Sequence, residues 1–260
     1  MSASSAIPLG RVTLVGAGPG DPELLTLKAV KAIQSASVIL VDDLVGDGVL
    51  AHARPDARIT YVGKRGGCKS TPQATIEQLM LDAAHAGENV VRLKGGDPFI
   101  FGRGGEEVES LRRAGIEPVV VNGVTAGLAA MTGLGAPLTH RDRAHGVVFV
   151  TGHPQKDGPG LNWARLGESA RDLHLTLVIY MGISSAARIQ AGLLSALPPD
   201  TPVAVIERAS LPSQRQCITT LGGLVDQLSA TGLGSPAVMV VGDVVRGVRA
   251  ALQQAATLAA

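Results

Sequence analysis

Short runs of aliphatic residues recur along the chain, and most of them end at a loop rich in glycine or polar residues. In the first half, these runs predict strands at residues 12–16, 38–41, 59–62, 89–93 and 118–121. In the second half, the predicted strands are residues 147–150, 175–180, 203–206 and 237–241. Helical segments are predicted between strands, among them residues 23–35, 106–115, 184–196 and 220–230. This alternation predicts an α/β fold whose sheets are covered by helices on both faces.

The length of the chain, 260 residues, suits one large domain or two modest ones. A stretch rich in Gly, Thr and Ala, residues 122–146, is the candidate boundary. We therefore expect an N-terminal α/β domain over residues 10–123 and a C-terminal α/β domain over residues 124–250.

Composition argues against several classes of partner. The net charge is +1 and the chain has one Trp, two Tyr and three Phe, so it lacks the basic field and the stacking side chains that nucleic-acid binding uses. No run reaches about 18 apolar residues, so we expect no membrane span. Cys68 and Cys217 show no CxxC spacing, which argues against a zinc site. The first residues lack a signal-peptide pattern, and a cytoplasmic protein is expected.

A glycine-rich loop, residues 16–21 (GAGPGD), follows the first predicted strand. Glycines let a backbone approach a ligand closely. The dinucleotide pattern GxGxxG fails here because Asp21 stands at its last position, where a carboxylate would repel a pyrophosphate. The loop therefore favours a nucleoside-like ligand without phosphates. Asp42 and Asp43 close the second strand, and from position alone one of them is a ribose ligand, or the pair belongs to a solvated turn or caps a helix.

Several longer motifs follow one another in the chain: VGAGPGDPELLTLKA at 15–29, VGKRGG at 62–67, VRLKGGDPFIFGRGGEE at 91–107, GVTAG at 123–127, PLTHRD at 137–142, VTGH at 150–153 and YMG at 180–182. In this order and spacing, over residues 10–248, the sequence resembles the tetrapyrrole methyltransferase family, and within it the branch that methylates uroporphyrinogen III.

The resemblance implies a class III methyltransferase with two α/β domains, a ligand cleft between them and a homodimeric assembly. It implies transfer of two methyl groups from S-adenosylmethionine to uroporphyrinogen III, at C-2 and C-7, giving precorrin-2 for cobalamin and siroheme synthesis. S-adenosylhomocysteine would be the second product. The alternatives are a methyltransferase for a later precorrin, a modifier of RNA or protein, and a binding module without catalysis.

The resemblance also implies roles for individual residues. Asp42 matches a proposed proton acceptor, and Lys64 matches a proposed proton donor. The positions that match the cofactor contacts of the family are Pro19, Gly95, Gly96, Asp97, Ile100, Thr125, Ala126, Met181 and Ala209.

The implied substrate carries many carboxylates, which arginine binds well. Three basic clusters are available: Lys64, Arg65 and Lys69; Arg92, Lys94 and Arg103; and His140, Arg141, Arg143 and His145. Each cluster is either a substrate-binding patch or a solvated surface. Arg103, Arg65 and Arg141 are the candidate substrate ligands, and we expect no metal.

Overall fold

The computed structural model describes residues 8–63, 71–153 and 160–248. The chain divides into two compact units, Met1–Thr125 and Ala126–Ala260. Each unit contains one five-stranded sheet with helices. The predicted α/β class is therefore confirmed.

The sheet of the first unit is entirely parallel, with the strand order β3-β2-β4-β1-β5. Its strands are Val12–Gly16 (β1), Val38–Val41 (β2), Arg58–Tyr61 (β3), Val90–Lys94 (β4) and Val119–Val121 (β5). Its helices are Leu27–Ser35 (α1), Asp47–Leu50 (α2), Gln73–His85 (α3) and Gly104–Arg113 (α4). Because the strands are parallel, their carboxyl ends meet at one edge, where α/β sheets place their ligands.

Neighbouring residues of the central strands pack into two different apolar layers. Leu14 packs on the side of α3 and α4, with Met80 and Leu111. Val15, the next residue, packs on the side of α1 with Ile33. Side chains alternate between the faces of a strand, so a strand that is buried on both faces must be apolar throughout. On β4 this rule is broken by Arg92 and Lys94, as described below.

The second unit has a mixed sheet with the strand order β6-β7-β10-β8-β9. Its strands are Gly146–Thr151 (β6), Leu175–Tyr180 (β7), Pro202–Glu207 (β8), Arg215–Thr220 (β9) and Ala237–Val241 (β10). Its helices are Ala126–Gly133 (α5), Trp163–Asp172 (α6), Ala186–Leu194 (α7) and Leu224–Thr231 (α8). Strands β7 and β8 are both antiparallel to β10, and β6 is parallel to β7. The carboxyl ends of β6, β7 and β8 therefore share one edge.

Several boundaries differ from the sequence predictions. Strand β9, antiparallel to β8, was not predicted, and it takes Thr220 from the predicted helix 220–230. The helix predicted from residue 23 begins at Leu27, because Pro22–Leu24 form a 3-10 turn and the Thr26 hydroxyl caps α1 by accepting from the Ala29 amide. Helix α5 lies inside the predicted boundary stretch.

None of the helices in the three described ranges combines the length and the apolar character that a membrane span requires.

Candidate active site

Three glycine-rich loops meet at the carboxyl edge of the first sheet, after β1, β4 and β5. The Gly18 amide donates to the Gly96 carbonyl at 3.2 Å, and the Gly96 amide donates to the Gly18 carbonyl at 2.7 Å. The Ala17 amide also donates to the Lys94 carbonyl at 2.8 Å. A Cβ atom on Gly123 would lie 2.2 Å from the Gly96 carbonyl oxygen, so this packing is closed to larger residues. Backbone rather than side chains therefore forms this part of the edge.

The side chain of Asp97 joins two of these loops. It is 8% exposed, and its Oδ1 accepts from the Phe99 amide at 2.8 Å. Its Oδ2 accepts from the Gly123 amide at 3.1 Å and from Asn122 Nδ2 at 3.3 Å. The carboxylate thus holds the loop after β4 against the loop after β5.

The space next to the Gly96 Cα is open. Gly96 has a φ of +67°, and a Cβ built on it would meet only the Thr125 Cα, at 3.9 Å. Thr125 is buried, and Pro19 and Ile100 are half-buried on the loops after β1 and β4. All predicted cofactor residues of the first unit therefore follow strands of this one edge: Pro19, Gly95, Gly96, Asp97, Ile100 and Thr125.

In the second unit, two predicted cofactor residues follow strands that end at the shared edge. Met181 comes directly after β7 and has a φ of +52°. Ala209 follows β8, between Arg208 and Ser210, whose φ values are +52° and +69°. Left-handed backbone at residues other than glycine costs energy and concentrates at functional sites.

Ala126 opens helix α5, and the adjacent backbone is tied to the same edge. The Gly127 amide donates to the Tyr180 hydroxyl at 2.8 Å. A Cβ on Gly127 would lie 2.6 Å from that hydroxyl oxygen, so glycine is needed for the contact.

Asp42 stands at the end of β2 and takes part in a network of four charged side chains. Arg92 Nη2 lies 3.1 Å from Asp42 Oδ1, and Lys94 Nζ lies 3.8 Å from Asp42 Oδ2. Glu107, on α4, is within 3.1 Å of Arg92 Nε and within 3.0 Å of Lys94 Nζ. The position of Arg92 and Lys94 two residues apart on β4 puts both on the same face of the sheet.

Burial distinguishes the members of this network. The side chains of Arg92 and Lys94 are 2% exposed, that of Glu107 is fully buried, and that of Asp42 is 33% exposed. Burial lowers the pKa of Lys94, and the nearby charge of Arg92 lowers it further, while Glu107 and Asp42 raise it in part. The solvated-surface interpretation is therefore wrong for Arg92 and Lys94.

A pocket of about 220 Å³ opens beside this network. Arg103 lies on its wall, is 55% exposed and forms a two-point ion pair with Glu106, at 3.0 and 2.5 Å. Arg103 has a φ of +59° and is a further residue with left-handed backbone next to the glycine loops. The residues that line the pocket are Asp42, Val62, Gly63, Thr71, Gln73, Ile76, Arg92, Lys94, Phe101, Gly102 and Arg103.

Three predicted residues remain to be accounted for. Arg141 is exposed in the second unit, on a turn closed by a bridge between His140 and Ala144. Lys64 and Arg65 lie outside the described residues. Among the described residues, no group of three or more His, Cys, Asp or Glu side chains is arranged to hold a metal.

Sequence reasoning missed Glu107 as a member of the site. The motif that carries it, GRGGEE, shows two adjacent glutamates, and only the structure separates buried Glu107 from exposed Glu106. The helical spacing of Glu107 with Val108 and Leu111, which are all buried on α4, is the signal in the sequence that points to its burial.

Comparison with known proteins gives a consistent result. A family model described as Tetrapyrrole (Corrin/Porphyrin) Methylases matches residues 11–225. A uroporphyrinogen-III C-methyltransferase from Pseudomonas aeruginosa is 55% identical over 240 residues, which cover 92% of this chain and 96% of that protein. A siroheme synthase from Edwardsiella ictaluri is 50% identical, and the match covers 93% of this chain but 51% of that longer protein.

A solved structure agrees with these sequence relatives. The uroporphyrin-III C-methyltransferase from Thermus thermophilus, complexed with S-adenosylhomocysteine, superposes with a TM-score of 0.77 and is 43% identical. The match covers 91% of this chain and 99% of that one. The family model and these identities together show that the chain belongs to the tetrapyrrole (corrin/porphyrin) methylase family.

Proposed function

We propose that this protein transfers methyl groups from S-adenosylmethionine to uroporphyrinogen III, at C-2 and C-7, and so forms precorrin-2. The observation that carries the proposal is the 55% identity, over 92% of the chain, to a uroporphyrinogen-III C-methyltransferase. The half-buried Asp42 carboxylate beside a pocket and the backbone-lined glycine loops are the parts that such a reaction needs.

S-adenosylmethionine supplies an electrophilic methyl group on a positively charged sulfur. In the first unit, S-adenosylmethionine would be held chiefly by backbone groups of three loops, which contain Pro19, Gly95 to Ile100, and Thr125. In the second unit, Ala126, Met181 and Ala209 are the proposed contacts. The fit rests on Gly96, where the absence of a side chain leaves room for a ligand against the backbone.

Electron-rich pyrrole carbons can attack a methyl group directly, so the protein contributes alignment and proton transfer. A proton must leave the alkylated macrocycle, and Asp42 is the proposed acceptor. Arg92, at 3.1 Å, fixes the orientation of this carboxylate. Lys64 is the proposed proton donor.

The carboxylate side chains of the macrocycle need cationic partners, and Arg103, Arg65 and Arg141 are proposed for this role. Arg103 is the best placed of the described candidates, because it lies on the wall of the pocket that contains Asp42. Its present partner, Glu106, is exposed, so a substrate carboxylate can replace it at little cost.

We further propose a cytoplasmic homodimer with a small-molecule tetrapyrrole as its substrate and with neither nucleic acid nor membrane as a partner. The product would feed cobalamin or siroheme synthesis. Methylation of a later precorrin is the alternative function.

The test is an anaerobic incubation of the purified protein with S-adenosylmethionine and, in separate reactions, uroporphyrinogen III and a later precorrin. Mass spectrometry of the tetrapyrrole is the measurement. Methylation of uroporphyrinogen III is the expected result. Methylation of only a later precorrin would support the alternative.

A further inference from the structure

The charge network has one end that reaches solvent. Of its four side chains, Asp42 is 33% exposed, whereas Arg92, Lys94 and Glu107 are between 0% and 2% exposed. Moving ions from water into a protein interior costs free energy, and apolar residues of similar size in their place often give the folded state equal or greater stability. Stability alone therefore gives no reason for three buried charges, two of which lie on a strand that is otherwise apolar.

Glu107 is the member that organises the other three. Its Oε1 accepts from Arg92 Nε at 3.1 Å, from Lys94 Nζ at 3.1 Å and from Gln73 Nε2 at 3.2 Å. Helices α3 and α4 and strand β4 are thus joined at one carboxylate oxygen.

Arg92 transmits this arrangement to Asp42. With Nε held by Glu107, Arg92 directs Nη1 to the carbonyls of Leu40 and Leu93, at 3.4 and 3.3 Å, and Nη2 to Asp42. A guanidinium is planar, so fixing two of its nitrogens fixes the third. The direction of the Asp42 carboxylate therefore depends on Glu107 through Arg92.

We propose that Glu107 is a positioning residue for methyl transfer, holding Arg92 and Lys94 so that the Asp42 carboxylate faces the proton it accepts. This inference rests on the proposed function. It also involves charge balance, because Glu107 and Asp42 together match the two cations, and without Glu107 both buried cations act on Asp42 alone.

The first test is Glu107→Gln, which keeps the size of the side chain and one acceptor oxygen but removes the charge. We expect kcat to fall by up to roughly 100-fold, because small errors in the position of a reacting group have effects of this size. The KM for S-adenosylmethionine should stay within about twofold, since no side-chain contact to the glycine loops is changed. Glu109→Gln is the matched control, an exposed glutamate on the same helix, and should retain wild-type kcat.

The second test is the double variant Lys94→Met with Glu107→Gln, compared with each single variant. The double variant removes one cation and one anion, so the network stays neutral. The ion pair between Asp42 and Arg92 is also kept. We expect its kcat to exceed that of Glu107→Gln by about fivefold or more, while staying below wild type. This variant also carries the test if Glu107→Gln does not fold.

Thermal unfolding of each variant separates positioning from stability. If Glu107→Gln has a lower melting temperature but wild-type kcat, the proposal is wrong. It is also wrong if the fold-loss of kcat in the double variant equals the product of the fold-losses in the two single variants. A wild-type protein that methylates no tetrapyrrole in the same assay would instead overturn the proposed function.

Discussion

The carbonyl oxygen of Gly96 lies 2.2 Å from the point that a Cβ atom on Gly123 would occupy. The two loops that carry these residues pack backbone against backbone at this point, with Gly16 packed against both. A methyl group cannot enter without separating the loops. The glycine-rich motifs are therefore explained by loop-to-loop packing as well as by ligand approach.

The first prediction concerns this packing. We expect Gly123→Ala to lower the free energy of unfolding by about 2 kcal/mol or more, because the added methyl meets backbone that cannot turn aside. S-adenosylmethionine binding should weaken with it. Chemical denaturation and calorimetric titration are the measurements.

The control for this prediction is Gly105→Ala, since a Cβ on Gly105 meets nothing within 4 Å and the residue is helical. Alanine should leave stability within about 1 kcal/mol of wild type, on the stabilising side. Equal losses in the two variants would contradict the packing argument.

The second prediction concerns the carboxylate that joins the loops. Asp97→Ala removes three acceptor contacts and leaves the amides of Phe99 and Gly123 without this partner. We expect a loss of about 2–4 kcal/mol in unfolding free energy and weaker S-adenosylmethionine binding. Asn122→Ala removes only one of the three contacts and should have a clearly smaller effect on both. If the two variants bind the cofactor equally well, Asp97 does not organise the loops.

The third prediction concerns backbone strain at Met181. Glycine adopts the φ of +52° found at Met181 without strain. In the unfolded chain, however, glycine has more conformational freedom than methionine, and this freedom is lost on folding. Met181→Gly should therefore leave stability unchanged or raise it by less than about 1 kcal/mol. We expect S-adenosylmethionine affinity to fall by about 2- to 10-fold, because a looser backbone must be ordered on binding.

His174→Gly is the matched control for Met181. His174 has a φ of +51° but precedes β7, whereas Met181 follows it. Relief of backbone strain should change the free energy of unfolding by a similar amount in both variants. His174→Gly should not change the affinity for S-adenosylmethionine. A loss of affinity in both would show that Met181 has no special role.

The fourth prediction concerns the reactivity of a thiol. Burial raises the pKa of Cys217, so less thiolate is present in the folded protein than in the unfolded chain at the same pH. In a Cys68→Ser variant, alkylation of Cys217 near pH 8 should be slower by roughly tenfold or more when the protein is folded. Mass spectrometry over time, with and without denaturant, measures the difference. Equal rates would mean that Cys217 is not protected.

Sequence patterns were sufficient to predict the strands of the first unit, because most of their residues are aliphatic and each apolar run is followed by a glycine or a polar residue. They were not sufficient for β9, residues 215–220, whose polar and β-branched residues lie at a sheet edge and form no apolar run. Edge strands need fewer buried side chains, which weakens the periodic signal.

In the candidate site, too, some features were predictable from the sequence and others were not. The motifs placed Asp42 and the glycine loops at strand ends, where the structure has them. The burial of Arg92 and Lys94 was not predictable, because it depends on Glu107, which is distant in sequence and reaches them only through the packing of α4 on the sheet. The positive φ values of Met181 and Arg208 also leave no trace in composition.

Methyl transfer to uroporphyrinogen III can be measured directly by incubating the protein anaerobically with this tetrapyrrole and with S-adenosylmethionine labelled in its methyl group, followed by mass spectrometry of the tetrapyrrole. We expect the wild type to add two labelled methyl groups to the tetrapyrrole, and Asp42→Asn to add them much more slowly. A tetrapyrrole recovered without label, from protein that binds S-adenosylmethionine, would contradict this expectation.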